Sequence, residues 1–236
     1  MEFSNTITCS HYNNKQKILL VGEGDFSFSL CLAKAFGSAT NITATSLDTR
    51  EELEQKYRDA KNNVEELERR GCTVIHGVNV HSMDKDHRVV RSIVYDRIIF
   101  NFPHAGFHFG REIDSYTILL HQELVRGFLK NAKKMVKDKD GEIHTTHKTA
   151  HPFSDDWTIE GLAKENGLCM TQETPRTCKR VGKKNARVLV KDEDGRGEIH
   201  VVHKTEYPFM EVTVTPAPLV GKSSTFMFYL LKNNFQ

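Results

Sequence analysis

A glycine-rich turn is the part of this sequence best suited to hold a cofactor. The apolar run Lys17–Val21 leads directly into Gly22-Glu23-Gly24, and an amphipathic pattern begins near Ser27. The two glycines permit a tight turn and a close approach of the backbone to a ligand, while free N–H groups at the start of the following helix point toward it. We therefore expect this turn to bind a nucleotide-like cofactor.

The residues of the turn favour S-adenosylmethionine over a dinucleotide. The dinucleotide fingerprint G-x-G-x-x-G has a third glycine where this chain has Ser27. Glu23 and Asp25 add two carboxylates, which would repel a pyrophosphate but suit a cofactor that carries an ammonium and a sulfonium. NAD is the alternative ligand, and an ordinary strand-to-helix turn without a ligand is also compatible with this short motif.

Two polar residues follow the next two predicted strands. Asp48 follows strand 42–47, about where an acidic residue accepts hydrogen bonds from both ribose hydroxyls of a nucleoside. It could instead cap the helix that begins near Glu51. Asn79 follows strand 73–76 and could accept a hydrogen bond from an adenine amino group through its carbonyl oxygen.

A third polar position lies after the predicted strand 97–101. Asn101, Phe102 and Pro103 stand there in sequence, followed by His104. An amide can bind the polar edge of a base, an aromatic ring can stack on the base, and a proline makes the turn rigid. This edge is therefore a candidate site for modification of a nucleobase.

Histidines in the segment 141–153 raise the question of a metal site. On a strand, His144 and His147 point to opposite faces, and no cysteine or acid is placed to complete a tetrahedron. We therefore predict no metal ion here and interpret these histidines as polar groups near the substrate.

Alternating apolar runs and helical patterns predict βαβ units around a parallel sheet. The predicted strands are 18–21, 42–47, 73–76, 97–101, 142–146 and a closing strand at 225–231. The predicted helices are 27–36, 51–70, 84–94, 112–136 and 158–166. The 236 residues are enough for one substantial domain, so we expect a flexible N-terminus at 1–14 and a single α/β domain over 15–236.

Composition indicates an intracellular protein with no membrane segment. No apolar run approaches the roughly 20 residues of a membrane span, and the polar N-terminus lacks the apolar core of a signal peptide. Five widely spaced cysteines, an odd number without C-x-x-C, are typical of reduced thiols. The sequence does not define an oligomeric state, and we expect a monomer.

One segment is duplicated. VKDKDGEIHTTHKTAHPF at 136–153 recurs as VKDEDGRGEIHVVHKTEYPF at 190–209, with thirteen of eighteen aligned positions identical. Two copies are too few for a solenoid, and they cannot occupy the same place in one sheet. We interpret the second copy as a recent local duplication, or as a product of a gene model or of splicing, within an insertion at about 176–215 before the last strand.

A basic segment overlaps this insertion and contains no acid. It either forms a solvated loop or tracks the phosphates of a nucleic acid. Its cations are Arg176, Lys179, Arg180, Lys183, Lys184, Arg187 and Lys191.

Several segments together resemble one known family. They are VGEGDFSFS, the strand end ATSLD, YDRIIFNFPHAG, a long helix that begins near Glu112 and contains His121, GEIHTTHKTAHPFSDDW and VGKSSTFMFYL. They are similar to the Rossmann-like methyltransferase family of the eukaryotic 25S-type large-subunit rRNA (uridine-N3) methyltransferase, including its plant members. The resemblance covers about 15–175 and 219–231.

This resemblance implies a fold, an activity and partners. The implied fold class is α/β, with a Rossmann-like, seven-stranded class I methyltransferase sheet that is mostly parallel and has an antiparallel last strand. The implied methyl donor is S-adenosylmethionine, and the acceptor is N3 of a uridine in large-subunit rRNA. The implied partner is rRNA or a pre-ribosomal particle, in the nucleolus or nucleus or in the cytoplasm.

The resemblance also implies site residues by position. The cofactor residues are Gly22, Glu23, Gly24, Asp25, Phe26, Ser27 and Asp48, with Asn79 where the family usually has an acid. The catalytic edge consists of Asn101, Phe102, Pro103 and His104. The second departure from the family pattern is the duplicated segment before the last strand.

The proposed chemistry needs a base, because uracil N3 carries a proton. We hypothesise that His104 takes or relays this proton, while Asn101 fixes the base edge and Phe102 stacks on it. The uridine must first leave its stack. Two alternatives are a cofactor-binding relative that the insertion has inactivated and an NAD-dependent oxidoreductase.

Overall fold

The computed structural model describes residues 6–90, 94–106, 115–148, 158–181, 185–189, 201–203 and 221–230. The strands in chain order are β1 (Thr8–Cys9), β2 (Tyr12–Asn13), β3 (Ile18–Val21), β4 (Ile42–Thr45), β5 (Thr73–Ile75), β6 (Arg97–Asn101), β7 (Glu142–Lys148), β8 (Leu168–Val181), β9 (Asn185–Leu189), β10 (Val201–His203) and β11 (Gly221–Leu230). The described helices are α1 (Ser27–Phe36), α2 (Arg50–Lys56), α3 (Ala60–Arg69), α4 (His87–Val90), α5 (Ser115–Ala132) and α6 (Ile159–Glu165), with a 3₁₀ turn at Met83–Lys85.

The central sheet confirms the predicted α/β class. Strands β5, β4, β3, β6 and β7 lie side by side in that order and are parallel. The last strand, β11, lies antiparallel between β7 and β8. These seven strands form the mostly parallel sheet with an antiparallel last strand that the resemblance implies. Strands β9 and β10 extend the sheet beyond β8.

Both faces of the sheet are covered. Successive residues of a strand point to opposite sides, so each face receives every second residue. Every residue of β3 is buried. Ile18 and Leu20 contact the apolar sides of α1 and α3, so we call this side the α1 face. Leu19 and Val21 contact a cluster that includes Phe128 of α5, so we call the other side the α5 face.

Two predicted helices are interrupted. The pattern at 51–70 predicts one helix, whereas Tyr57 takes an extended conformation (φ −130°, ψ 118°) and separates α2 from α3. At 84–94 the chain forms the 3₁₀ turn and the short α4, and residues 91–93 lie outside the described part. Among the helices that the structure describes, none is long and apolar enough to cross a membrane.

A short hairpin of β1 and β2 covers part of the α1 face. Its Tyr12 side chain is buried, and its hydroxyl lies 3.0 Å from Nδ1 of His144. His144 Nε2 lies 2.8 Å from the carboxylate of Glu142, and this hydrogen bond holds the pKa of Glu142 below its usual value. Residues 8–13 therefore contact the sheet, within the segment for which the sequence predicts flexibility.

The described parts of the two copies of the repeat lie in different strands of the sheet. The first copy contains β7, which lies in the middle of the sheet between β6 and β11. Of the second copy, residues 201–203 form the outermost strand, β10, and the rest lies outside the described residues. Lys183, Lys184 and Lys191 of the basic segment also lie outside them.

Candidate functional site

The turn after β3 leaves no room for a side chain at Gly22 and little room for one at Gly24. Gly22 has a φ of 65°, and a Cβ there would lie 2.3 Å from the Phe100 ring. A Cβ at Gly24 would lie 3.2 Å from the Tyr57 ring. The turn therefore presents backbone, rather than side chains, at the carboxyl edge of β3.

Glu23 faces the protein interior and supports the start of α1. Its amide N–H donates to the Thr45 carbonyl at 2.8 Å. Its carboxylate accepts hydrogen bonds from the amide of Ser29 at 3.1 Å and from the hydroxyl of Ser29 at 2.6 Å. Burial raises the pKa of Glu23 to about 7. The described contacts thus engage this carboxylate in helix support, although the sequence suggested a role in attracting a cationic cofactor.

The rest of the turn is held by short polar contacts. The Asp25 carboxylate accepts a hydrogen bond from the Ser27 amide at 3.0 Å, and the Asn63 side chain donates to the Asp25 carbonyl at 2.8 Å. Phe26 is fully buried with a φ of 59°. A left-handed conformation is costly for a bulky side chain and is concentrated at functional sites.

Asp48 lies at the carboxyl edge of β4 and does not cap α2. The N-cap is Thr49, which forms a capping box with Glu52, so the capping alternative for Asp48 is wrong. The Asp48 carboxylate instead pairs with Lys56 Nζ at 2.5 Å and is 23% exposed. This carboxylate is therefore accessible at the edge where the sequence predicts a ribose contact.

Asn79 lies on the loop after β5 and is exposed. Its side-chain carbonyl oxygen accepts a hydrogen bond from the His81 amide at 2.9 Å. The oxygen that we expect to bind an adenine amino group thus already accepts one hydrogen bond. An amide oxygen can accept a second one.

Asn101 ends β6 and is oriented by the neighbouring strand. The Thr146 hydroxyl on β7 donates to Oδ1 of Asn101 at 2.7 Å. The other end of the amide, Nδ2, is buried and has no hydrogen-bond partner among the described residues. Because an unpaired buried donor costs about 1–3 kcal/mol, this N–H is well placed for a ligand.

Two histidines hold the loop that follows Asn101. Nδ1 of His104 accepts a hydrogen bond from the Gly106 amide at 2.9 Å, and Nδ1 of buried His121 accepts one from the Ala105 amide at 3.0 Å. The two rings lie 4.4 Å apart. A neutral imidazole that accepts at Nδ1 carries its hydrogen on Nε2. Uptake of a proton at Nδ1 of His104 therefore requires the hydrogen bond from Gly106 to open.

Phe102 and Pro103 complete this edge. Phe102 has a φ of 49°, and its amide donates to the Thr146 carbonyl at 2.8 Å. Pro103 is buried. The backbone strain at Phe102 parallels the strain at Phe26, so the two loops that follow β3 and β6 both contain a left-handed phenylalanine.

The carboxyl edge has further polar atoms suited to a bound nucleoside. Besides Asn101 Nδ2, the buried Ser27 Oγ and His76 Nε2 have no hydrogen-bond partner within the described part of the chain. They follow β3 and β5, which flank β4 and its Asp48 in the sheet. These residues fit a polar cofactor that is held by hydrogen bonds. In the same described part, no group of three or more His, Cys, Asp or Glu residues could hold a metal ion.

Three supporting residues are absent from the sequence-based site. They are Ser29, which binds Glu23, Tyr57, which covers Gly24, and Thr146, which orients Asn101. The sequence contained one signal for Thr146, because this residue ends the predicted strand 142–146. Neighbouring parallel strands end at the same edge of a sheet, so Thr146 could be expected near Asn101. The positions of Ser29 and Tyr57 depend on how the chain turns after β3 and α2.

Comparison with known proteins identifies a family. The sequence model of the BMT5-like family, described as rRNA (uridine-N3-)-methyltransferase BTM5-like, matches residues 19–182. An uncharacterized protein of Arabidopsis thaliana is 58% identical over 165 residues, which are 70% of this chain and 78% of that protein.

Two further relatives are longer than this chain or more distant from it. Heavy metal-associated isoprenylated plant protein 41 of Arabidopsis thaliana is 48% identical over 162 residues, 69% of this chain but 31% of that protein. The 25S rRNA (uridine(2634)-N(3))-methyltransferase of Saccharomyces cerevisiae is 23% identical over 214 residues, with 69% of this chain and 63% of that protein covered. This chain thus spans less than two thirds of either relative.

The contact between Gly22 and Phe100 predicts a large effect of one methyl group. Gly22→Ala must adopt a left-handed φ, which costs about 1–2 kcal/mol, and must also displace the Phe100 ring, which costs about 1–3 kcal/mol. Gly37→Ala is a matched control, because Gly37 has a φ of 76° but no atom within 4 Å of the added Cβ. We expect urea denaturation to show a clearly greater loss of unfolding free energy for Gly22→Ala. Equal losses would contradict the predicted clash.

The raised pKa of Glu23 predicts a pH-dependent stability. The folded protein binds this proton more tightly than an unfolded chain with a pKa of 4.5, so the free energy of unfolding falls as the pH rises, by about 3 kcal/mol at most. Glu23→Gln removes the titration and keeps an oxygen for Ser29. We expect the stability of this variant relative to the unsubstituted protein to increase from about pH 5 to about pH 8 in urea denaturation. A constant difference would show that Glu23 is ionised in the folded protein.

Proposed function

This chain belongs to the BMT5-like rRNA (uridine-N3-)-methyltransferase family, and from that membership we propose that it methylates N3 of a uridine in large-subunit rRNA with S-adenosylmethionine as donor. The family establishes the methyltransferase class, because its match covers most of the chain. The atom and the base come from the relative in Saccharomyces cerevisiae, which is 23% identical. They are therefore part of the proposal.

The observation that carries the proposal is the oriented amide of Asn101. Thr146 fixes Oδ1, so the buried Nδ2 presents an N–H at the carboxyl edge. Uracil has a carbonyl on each side of N3, and either oxygen accepts such a hydrogen bond. The same bond strengthens when N3 loses its proton and negative charge spreads onto the carbonyls, so Asn101 both orients the base and favours its reactive form.

The cofactor side of the site consists of backbone and a carboxylate. S-adenosylmethionine, when bound, supplies an electrophilic methyl group. Gly22 and Gly24 allow close backbone approach, and the Ser27 hydroxyl adds a buried polar atom. The Asp48 carboxylate accepts hydrogen bonds from the ribose hydroxyls when Lys56 moves away or shares the carboxylate with them. Asn79 lies on the loop after β5, the neighbouring strand of the sheet.

The acceptor side consists of the loop after β6. Phe102 stacks on the uracil, and Pro103 keeps the turn rigid. His104 holds the loop through Gly106 and takes the N3 proton once that hydrogen bond opens. Glu23 and Asp25 act mainly by shaping the turn, through Ser29 and Ser27.

The arrangement of the repeat supports an active enzyme over an inactive relative. The first copy contains β7, and Thr146 in that copy contacts Asn101. The described residues of the second copy lie at the far edge of the sheet, beyond β8 and β9. The insertion therefore leaves the strand that orients Asn101 in place. The same function makes rRNA or a pre-ribosomal particle the partner, and the nucleolus or cytoplasm the place of action.

Nucleoside analysis tests donor, acceptor and product together. We expect the purified chain, incubated with large-subunit rRNA and S-adenosylmethionine carrying a deuterated methyl group, to produce labelled 3-methyluridine. Mass spectrometry of the digested RNA measures it, and a reaction without protein is the control. A label in another nucleoside would contradict the proposed acceptor, and binding of the donor without transfer would support the inactive relative.

Variants of Asn101 and Thr146 test the oriented amide. Asn101→Asp replaces the donor with an acceptor, and we expect the methylation rate to fall about 100-fold or more, as when an oxyanion-stabilising donor is lost. Thr146→Val removes the hydrogen bond that orients the Asn101 amide, and we expect the methylation rate to fall about 5- to 10-fold. Thr145→Val is the matched control, because that buried hydroxyl donates to the Phe100 carbonyl at 3.1 Å and we expect a change within about twofold. Equal losses for the two threonines would contradict the role of Thr146.

A further inference from the structure

A small cavity lies beside α5, outside the site described above. Its volume is about 160 Å³. Two parts of the chain form its walls, the segment after β5 and the C-terminal part of α5 with the residues that follow it. The lining residues are His81, Asp84 and Lys85 from the first part and Gly127, Lys130, Asn131 and Lys134 from the second.

Specific contacts hold the two walls together. A Cβ at Gly127 would lie 2.3 Å from Nδ1 of His81, so the segment after β5 reaches the helix where the helix has no side chain. The buried Asn131 side chain donates from Nδ2 to the Val80 carbonyl at 2.7 Å. The cavity between these contacts is therefore a defined feature of the fold.

Two lysines on opposite walls give the cavity an unbalanced positive charge. Lys85 and Lys130 are exposed, and neither pairs with an acid in the described part of the chain. Lys134, by contrast, pairs with Asp84 at 2.7 Å, so these two charges offset each other. The remaining charge favours an anionic group between Lys85 and Lys130.

The Asp84 carboxylate supplies an acceptor in the same cavity. Its side chain is 10% exposed, and Oδ2 contacts Lys134. The other oxygen, Oδ1, is buried and has no hydrogen-bond partner among the described residues. A buried acceptor without a donor is costly, so it favours a ligand that can donate to it. A ligand suited to the whole cavity thus carries an anionic group and a hydroxyl close together.

Helix α5 connects this cavity with the catalytic edge. His121 of α5 accepts a hydrogen bond from Ala105, in the loop that follows Asn101. Lys130 is nine residues further along the chain, which is about 13 Å at 1.5 Å per helical residue. A nucleic-acid strand that leaves the catalytic edge along α5 therefore reaches the cavity after a short length of backbone.

We propose that this cavity binds a ribonucleotide of the substrate strand near the target uridine. Lys85 and Lys130 bind its phosphate, and Oδ1 of Asp84 accepts a hydrogen bond from its 2′-hydroxyl. The inference rests on the proposed function, because that function supplies an RNA strand at the catalytic edge. It adds a means of selection, since a 2′-hydroxyl is what distinguishes RNA from DNA at a given site.

Two matched double variants test the phosphate contact. The first combines Lys85→Gln with Lys130→Gln. The second combines Lys34→Gln with Lys61→Gln, which removes two exposed cations from α1 and α3 on the α1 face. Fluorescence anisotropy measures binding by the full chain of a labelled, uridine-containing single-stranded RNA of about 15 nucleotides, at several salt concentrations.

We expect the first double variant to bind this RNA about tenfold more weakly at about 0.1 M salt, with the slope of log K against log salt reduced by about 1. The second should remain within about threefold of the unsubstituted protein. Equal weakening of both variants, unchanged binding of the first, or no RNA binding by the unsubstituted protein would each overturn the inference.

A DNA strand of the same sequence, with deoxyuridine for uridine, tests the hydroxyl contact. We expect the unsubstituted protein to bind the RNA about tenfold more tightly than this DNA. Asp84→Asn should reduce that ratio to within about threefold, without weaker binding of the DNA, because the change removes a negative charge from a basic cavity. Equal affinity of the unsubstituted protein for both strands, or an RNA preference that survives in Asp84→Asn, would contradict the role of Asp84.

Controls separate this inference from folding and from the proposed function. Circular dichroism checks that the variants fold, and the comparison of RNA with DNA by the unsubstituted protein needs no substitution. S-adenosylmethionine binding should be unchanged in both double variants. RNA binding that depends on Lys85 and Lys130, without formation of 3-methyluridine, would refute the proposed function only. Formation of 3-methyluridine with RNA affinity that is insensitive to these lysines would refute this inference only.

Discussion

The close approach of the turn after β3 to the Phe100 ring is the constraint on which the site depends. No side chain fits at Gly22, and its left-handed φ reverses the chain within a few residues. That reversal brings the Glu23 amide to the Thr45 carbonyl and the Glu23 carboxylate to Ser29. A single turn therefore connects β3, β4, β6 and α1, and it leaves backbone at the point where a cofactor must come close.

A second pairing, between β6 and β7, gives the edge its chemistry. Asn101 and Thr146 are direct partners in the parallel ladder, and Phe102 continues that contact through the Thr146 carbonyl. Hydrogen bonds from the loop backbone to His104 and His121 then hold the next residues. The loop is over-determined by these contacts, which explains how a bulky residue keeps a left-handed conformation there. The strain at Phe26 has the same cause, since Asp25 is held from two sides.

Periodicity predicted the strands that build this edge, because their buried apolar runs are continuous and end in polar residues. It did not predict the break at Tyr57, since the charged pattern of 51–70 continues through this residue, whose backbone is extended and whose ring lies next to Gly24. Nor could spacing show that Glu23 faces inward. A carboxylate in a turn can face either way, and the choice here depends on Ser29, in the first turn of the helix. Likewise, the availability of Asn101 Nδ2 depends on strand register, which no local pattern contains.

The two copies of the repeat differ at the residues that connect β7 to β6. The two copies share their flanking sequence, yet Thr145 and Thr146 of the first copy correspond to Val201 and Val202 of the second. In β7 those threonine hydroxyls bind the Phe100 carbonyl and Asn101 Oδ1. Valine keeps the β-branched shape that suits a strand but cannot make either bond. The second copy can therefore extend the sheet at its edge but cannot replace β7, because Asn101 would lose the hydroxyl that directs its amide.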